Sequence, residues 1–259
     1  MNDMLIFERA AVRAHRDRAA NQLDRVRPVL DDLAARVLDR LDDTARKFAT
    51  ALDLGGRGAV ATLLAARGVA VVSADLSPRM ARQAGGFAVA ADAEFLPFGA
   101  ASFDLIVAHL SLHWVNDLPG ALIQLRRTLK PEGLFLASLP LLGTLGDLRA
   151  ALIKAEEALT GGASPRVSPF PDLADCAGLM QRAGFALPVA EREVIDVEYA
   201  EPLALLRDLQ AAGETNATIA RSRRIPPRAL FPAALAALAP DDGKLRVPLH
   251  MAVLTGWGS

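Results

Sequence analysis

The sequence predicts an α/β chain organised around a doubly wound, mostly parallel sheet, and three observations carry that expectation. Short apolar runs alternate with amphipathic helical stretches between residues 51 and 139. The first run passes directly into a glycine turn, Leu52-Asp53-Leu54-Gly55-Gly56-Arg57-Gly58, ahead of a helix. The second run ends on Asp75, at the spacing of about 20 residues that separates such a turn from an acidic strand end in nucleotide-binding βαβ units.

Taken in order, apolar residues recur at helical spacing over 23–41 (Leu23, Val26, Val29, Leu30, Leu33, Val37, Leu38, Leu41), which predicts an N-terminal amphipathic helix. Strands are expected at 51–54, 70–75, 87–90, 103–108 and 134–139, because short apolar runs bounded by turn residues suit buried parallel strands. A helix over 60–67 closes at Gly68, and another spans 118–129. Lys130-Pro131-Glu132-Gly133 is expected to form the turn that follows it.

The second half reads differently. Helices over 144–159 and 172–183, joined by a Pro- and Ser-rich link at 164–171, are expected to form an insertion over the active-site rim. Strands follow at 191–199 and 245–257, with helices at 202–212 and 228–238 between them, positioned to close over a substrate; the Ala-rich stretch 229–240 is helical. The expected organisation is a single domain over 1–259. It comprises an N-terminal helical segment (1–46), a cofactor-binding core (47–140), a helical insertion (141–188) and C-terminal strands with inserted helices (189–259), the helical insertions forming a lid.

Composition narrows the function. Twenty-nine Lys and Arg against 30 Asp and Glu leave a formal charge of -1, which argues against nucleic acid as a partner. The single cysteine, Cys176, excludes a disulfide framework within the chain and points to a cytoplasmic, reducing location. No run is long and apolar enough for a transmembrane segment, and the opening, with Asp3, Glu8 and Asp17 among its arginines, resembles neither a secretory nor an organellar leader. His15 and His250 lack neighbours at metal-ligand spacing, so no metal site is expected. Cys176 and Met180, at helical spacing, read as core residues.

Glycines belong in the 55–58 turn because the backbone there must bend sharply and approach a ligand without a Cβ in the way. A carboxylate at Asp75 can accept hydrogen bonds from a ribose diol. In the loop after the fourth strand, His113 has the chemistry of a general base and Trp114 that of an apolar wall, or both simply pack the loop. The run Arg221-Ser222-Arg223-Arg224 is either a solvated loop or a contact for an acidic partner.

Several of these segments resemble successive motifs of class I S-adenosylmethionine-dependent methyltransferases, whose fold is Rossmann-like. They are Ala51-Leu52-Asp53-Leu54-Gly55, Ala74-Asp75-Leu76-Ser77 with Met80, Asp92-Ala93-Glu94-Phe95-Leu96-Pro97-Phe98, and Ser102-Phe103-Asp104-Leu105-Ile106-Val107. Further segments are similar to the branch of the mitochondrial complex I assembly factor 5, a methyltransferase-like arginine hydroxylase, with the malonyl-carrier-protein methyltransferases of biotin synthesis as a sister group. These are Ser111-Leu112-His113-Trp114-Val115-Asn116-Asp117-Leu118-Pro119, Leu129-Lys130-Pro131-Glu132-Gly133, Gly213-Glu214-Thr215-Asn216, Ile6-Phe7-Glu8-Arg9 and Thr255-Gly256-Trp257.

The resemblance implies S-adenosylmethionine as cofactor, with Asp53, Gly55, Gly56 and Gly58 at its methionine end, Asp75 on the ribose, Leu76 and Met80 against the adenine, Asp92 on the adenine amino group with Ala93 and Glu94 beside it, and His109 near the methionine portion. It implies methyl transfer to an acceptor or, in the assembly-factor branch, hydroxylation of an arginine on a complex I subunit; a protein substrate or a carrier protein is then the partner. Arg149, Glu214 and Asn216 resemble polar positions of that branch, which implies that they line the substrate pocket or else only cap and pair. The family's turn is usually Gly-x-Gly-x-Gly, and Gly55-Gly56-Arg57-Gly58 is one residue shorter. Loss of one residue displaces the backbone by up to about 3.5 Å, which leaves a third possibility, a non-catalytic assembly or binding factor with a degenerate cofactor loop.

Overall fold

The computed structural model describes residues 5–238 and 243–259. Asn2 and Asp3 of the opening, and residues 239 and 240 of the Ala-rich stretch, lie outside the described residues. Along the chain run α1 (Arg9–Ala19), α2 (Arg27–Leu38), β1 (Thr50–Leu54), α3 (Ala59–Ala66), β2 (Ala70–Asp75), α4 (Pro78–Gln83), β3 (Phe87–Ala90), β4 (Phe103–His109), α5 (Leu118–Thr128), β5 (Leu129–Pro140), α6 (Gly146–Thr160), α7 (Leu173–Arg182), β6 (Ala186–Tyr199), α8 (Pro202–Ala212), α9 (Leu230–Leu238) and β7 (Leu245–Trp257).

The strands form one seven-stranded sheet in the order β3-β2-β1-β4-β5-β7-β6. The first five are mutually parallel, while β7 is antiparallel to both β5 and β6. This is the Rossmann-like, mostly parallel arrangement expected. Strand order reverses at β1 and β4, and the carboxyl ends of strands at such a switch point are where α/β sheets bind ligands.

Strand alternation divides the core into two layers. Ala51, Leu105, Val107, Leu134, Leu136 and Val253 share one face with α2 and α3. Leu52, Ile106, Ala108, Phe135, Ala137 and Leu254 share the other with α5 and α7. A separate cluster, built from Leu148 and Leu152 of α6, Leu205 of α8, Ala234 of α9 and Leu245 and Val247 of β7, sits beyond the sheet.

Three local expectations are corrected. The segment 130–133 is not a turn between elements: β5 runs through it, and the register passes from Phe103↔Leu129 to Leu105↔Leu134. The extra residues bulge out of the strand, with Glu132 at φ 57. Of the pair expected over the rim, α6 joins α8 and α9, but α7 packs on the sheet beside α5, burying Cys176 and Met180. Finally, the expected helix over 23–41 is α2 flanked by two short 3-10 turns, and α1, within the expected helical segment 1–46 but without a periodicity that marks it, precedes it. In α1 the buried stripe is Val12, Arg16 and Ala19, an arginine at the centre where a periodicity search looks for an aliphatic residue.

Candidate functional site

The glycine turn is shaped by close approach. Gly55 has φ +78, and a Cβ there would lie 2.5 Å from Cβ of Ser111; a Cβ on Gly56 would lie 2.1 Å from Oδ1 of Asp53. The Gly56 N–H instead donates to that oxygen at 3.0 Å. Gly58, with φ +85, packs against α4 and begins α3. Asp53 is sealed beneath the turn, where burial, reinforced by the charge of Asp75, pushes its carboxyl up to about 7.

Asp75 ends β2, and one oxygen accepts from the Ser77 N–H at 2.8 Å. Its other oxygen accepts from Nη1 of Arg16 at 2.6 Å, with both side chains almost fully buried. Arg16 also donates to the Leu110 carbonyl. Asp92, after β3, is paired with Arg9 of α1, and Glu94 accepts from the Asn116 N–H. Both α1 arginines therefore cover carboxylates at adjacent strand ends. The space left here is about 20 Å³, lined by Gly55, Asp75, Leu76, Ala93, Ser111 and Trp114 among others.

Arg57, inside the glycine turn, is buried and paired in a similar way. It stands at φ 51, and its guanidinium donates to the carbonyls of Gly55, Leu110 and Ala212 and to Glu214. Burial, aided by Arg16, lowers its pKa to about 10, so it stays charged at neutral pH. The arginine side chain of the shortened turn is thus fully buried among backbone carbonyls and Glu214.

Glu214, after α8, joins these groups to the loop following β4. Its Oε2 accepts from Nε1 of Trp114 and pairs with Nε2 of His113, each at 2.8 Å. Burial works against its ionisation, but the neighbouring His113 and Arg57 outweigh burial and hold the carboxyl well below its ordinary range. Burial also drives His113 down, against the pull of Glu214, so the imidazole is neutral near pH 7. An ionised carboxylate can only accept, which puts the ring proton on Nε2 and leaves Nδ1 with its lone pair. No group among the described residues hydrogen-bonds that Nδ1.

His113, Trp114, Glu214 and Asn216 line a second and much larger cavity of about 410 Å³ between the sheet and the helices α2, α6, α8 and α9. Trp114 borders both cavities. The remaining expected residues fall elsewhere. Met80 is buried in the core on the α2 face rather than along the small cavity, because Ser77 caps α4 and turns it inward. His109 is fully buried, with Nδ1 2.7 Å from the Ser138 hydroxyl, and burial pushes it down to about 3; it borders neither cavity. Arg149 lies outside the large cavity's walls and donates to the Ser168 carbonyl. Arg221 and Arg223 of the basic run are both paired with Glu8.

The groups that sequence reasoning missed are Arg9, Arg16 and Arg57. Only Arg57 carried a local signal, a large charged residue inside a shortened glycine turn. Among the described residues no group of three or more His, Cys, Asp and Glu gathers as metal ligands, and no helix is long and apolar enough to cross a membrane.

Residues 52–137 match the family described as methyltransferase domain. The chain is 34% identical to the protein named arginine-hydroxylase NDUFAF5, mitochondrial, of Danio rerio, across 98% of this chain and 83% of that one. It is 33% identical to a malonyl-[acyl-carrier protein] O-methyltransferase of Halorhodospira halophila, across 99% and 90%. Among solved structures, the YcgJ protein of Bacillus subtilis superposes with a TM-score of 0.55 at 17% identity, covering 86% of this chain and 98% of that one, and shares the fold.

Proposed function

The chain belongs to the methyltransferase-domain family that includes the NDUFAF5 proteins and the malonyl-[acyl-carrier protein] O-methyltransferases, and from that membership we propose that it transfers a methyl group from S-adenosylmethionine to an acceptor in the large cavity. The observation that carries this reading is the shared wall at Trp114, which sets the strand-end carboxylates and the acceptor cavity side by side.

The donor set suits the cofactor. Asp75 and Asp92 are acceptors for ribose hydroxyls and an adenine amino group, Leu76 and Ala93 supply an apolar wall, and the backbone of Gly55, Gly56 and Gly58 permits close approach at the methionine end. Glu94 braces the loop beside Asp92, while Asp53, Met80 and His109 support the strand ends from beneath. The arrangement described is a closed one: about 20 Å³ is far below the roughly 300 Å³ at which small-molecule sites begin. Arg16 and Arg9 must release the two carboxylates before either takes a ligand, which makes α1 a cap on the site.

When bound, the cofactor supplies an electrophilic methyl group on a sulfonium centre. The protein's part is to position the acceptor and exclude water. His113, oriented through Nε2 by Glu214, takes the acceptor's proton at Nδ1. Trp114 and Asn216 shape the acceptor's surroundings, and a protein or carrier-bound acceptor is consistent with the relatives' names. A cytoplasmic setting fits a lone, buried cysteine.

Calorimetry with S-adenosylmethionine and an assay for S-adenosylhomocysteine formation with malonyl-loaded carrier protein test the reading. Micromolar cofactor binding with turnover lost in His113→Ala is the expected result; turnover unchanged in that variant removes His113 from the chemistry. A second reading, arginine hydroxylation, is favoured by one observation: Glu214 here holds a guanidinium, that of Arg57. Mass spectrometry of complex I subunits from cells with and without the protein tests it, and an arginine unmodified in both excludes it.

A further inference from the structure

We propose that the outer edge of β6 is an interface between two copies of this chain, which pair their β6 strands antiparallel about a two-fold axis at Val194 and so join two sheets into one. The pairing is independent of the methyl-transfer reading.

The first argument is the edge itself. β6 is the last strand of the sheet and, among the described residues, pairs only with β7. It has 14 residues, long for a strand at an edge, where an uncovered row of N–H and C=O groups is a template for another chain. Its register breaks between Ala186 and Val189, where Leu187 stands at φ 47 and Pro188 has no N–H to donate. The regular stretch is therefore Val189–Tyr199, and its midpoint is Val194.

The second argument is the charge along that stretch. Glu191 and Glu193 are paired with Arg40, and Glu198 with Lys244. The two remaining charged residues, Arg192 and Asp196, are exposed and have no ion-pair partner among the described residues. A two-fold axis through the strand sets each residue opposite the one equally far beyond the axis, on the same face of the sheet. With the axis at Val194, Arg192 faces Asp196 of the second copy, and Asp196 faces its Arg192. Val194, 54% exposed in the single chain, packs on its own counterpart, and the exposed Val189 meets Tyr199. Glu191, Glu193 and Glu198 face Val197, Ile195 and Ala190, so no like charges meet.

Neighbouring registers fare worse. An axis at Arg192, Glu193 or Asp196 places that charge against itself, which is destabilising. An axis at Ile195 avoids such a clash, but it shortens the pairing to Glu191–Tyr199 and gives up both pairs between Arg192 and Asp196. The register centred on the regular stretch is thus also the one that satisfies its two free charges.

Sedimentation velocity of the full chain and thiol cross-linking test the proposal. A dimer is expected at protein concentrations up to about 100 µM. Arg192→Asp and Asp196→Arg are each expected to weaken it roughly tenfold or more, and the exchanged pair Arg192→Asp/Asp196→Arg to restore it. Val194→Lys, which sets two ammonium groups together at the axis, should be a folded monomer by circular dichroism. Antiparallel partners at the axis have Cα atoms about 4.5–5.5 Å apart, within reach of a disulfide. Val194→Cys is therefore expected to oxidise to a covalent dimer, the natural Cys176 being buried. Glu198→Cys, whose counterpart lies about 27 Å away along the strands, is expected not to. A wild type that stays monomeric, a folded Val194→Lys variant that still dimerises, an exchanged pair no better than the single reversals, or cross-linking as ready at 198 as at 194 overturns the proposal.

Discussion

Two hollows meet at Trp114, and they are kept in opposite ways. On the strand-end side, Asp75 and Asp92 are each covered by an arginine, Arg16 and Arg9, and almost no space remains; Glu214, on the wall of the larger hollow, is covered by Arg57. On the other side much of the wall is aliphatic and the space stays open. The difference follows from what each surface costs to leave bare. A carboxylate taken out of water needs a partner, and the nearest guanidinium supplies it. An apolar wall has no such demand, and an open cavity persists where the surrounding helices are held by packing elsewhere.

The contrast can be broken most forcefully at Glu214. Replacing it with alanine leaves the Arg57 guanidinium buried with carbonyls alone, and the expected loss is about 3–5 kcal/mol, measurable by chemical denaturation. An equal loss in Arg57→Ala, with the double variant far less destabilised than the sum, would show that the pair acts as a unit.

Asp53 sharpens the same comparison through pH. Its carboxyl is raised from 3.8 to about 7, so the folded state binds that proton more tightly than the unfolded state. The stabilisation this provides is complete below the unfolded pKa and is lost as pH rises through the folded one. Asp53→Asn, which keeps an oxygen for the Gly56 N–H, is expected to match the wild type near pH 4 and to exceed it above pH 7, by no more than about 4 kcal/mol. Thermal melts across that window decide it; a constant difference at all pH values would mean that Asp53 titrates alike in the folded and unfolded states.

A smaller effect is expected between Arg16 and Asp75. Each single alanine variant strands one buried charge, and the double variant should recover roughly 1–3 kcal/mol of their summed cost. Cofactor affinity in Arg16→Ala adds the functional side: tighter binding than in the wild type is expected where Arg16 competes for Asp75, and unchanged affinity would remove α1 from the role of cap.

These arginines also mark the boundary of what the sequence made legible. The glycine turn, Asp75, α8 and β7 were readable because their signals are local: turn chemistry, strand length and helical spacing within a few residues. The partners of Arg16 and Glu214 were not, since Asp75 lies 59 residues from the former and Arg57 lies 157 residues from the latter. α1 escaped notice because its central buried residue is charged, and charge within a polar run reads as a solvated face until its partner is known. The Lys130-Pro131-Glu132-Gly133 segment misled for the opposite reason. Its turn chemistry is real, but Leu129 before it pairs with β4 and Leu134 after it pairs with both β4 and β7, so it becomes a bulge inside one strand. His113, Trp114 and Glu214 were each readable as candidates, whereas their junction at one carboxylate belongs to the fold.

The cofactor site itself is tested most directly by calorimetry with S-adenosylhomocysteine on the wild type and on the Arg16→Ala/Asp75→Ala double variant, which avoids stranding a charge. Micromolar binding by the wild type, weakened in the double variant by the loss of charge-assisted hydrogen bonds worth about 1.5–3 kcal/mol each, is the expected result. No binding by the wild type at millimolar ligand, or binding unaltered in the double variant, would contradict the placement of the cofactor at Asp75.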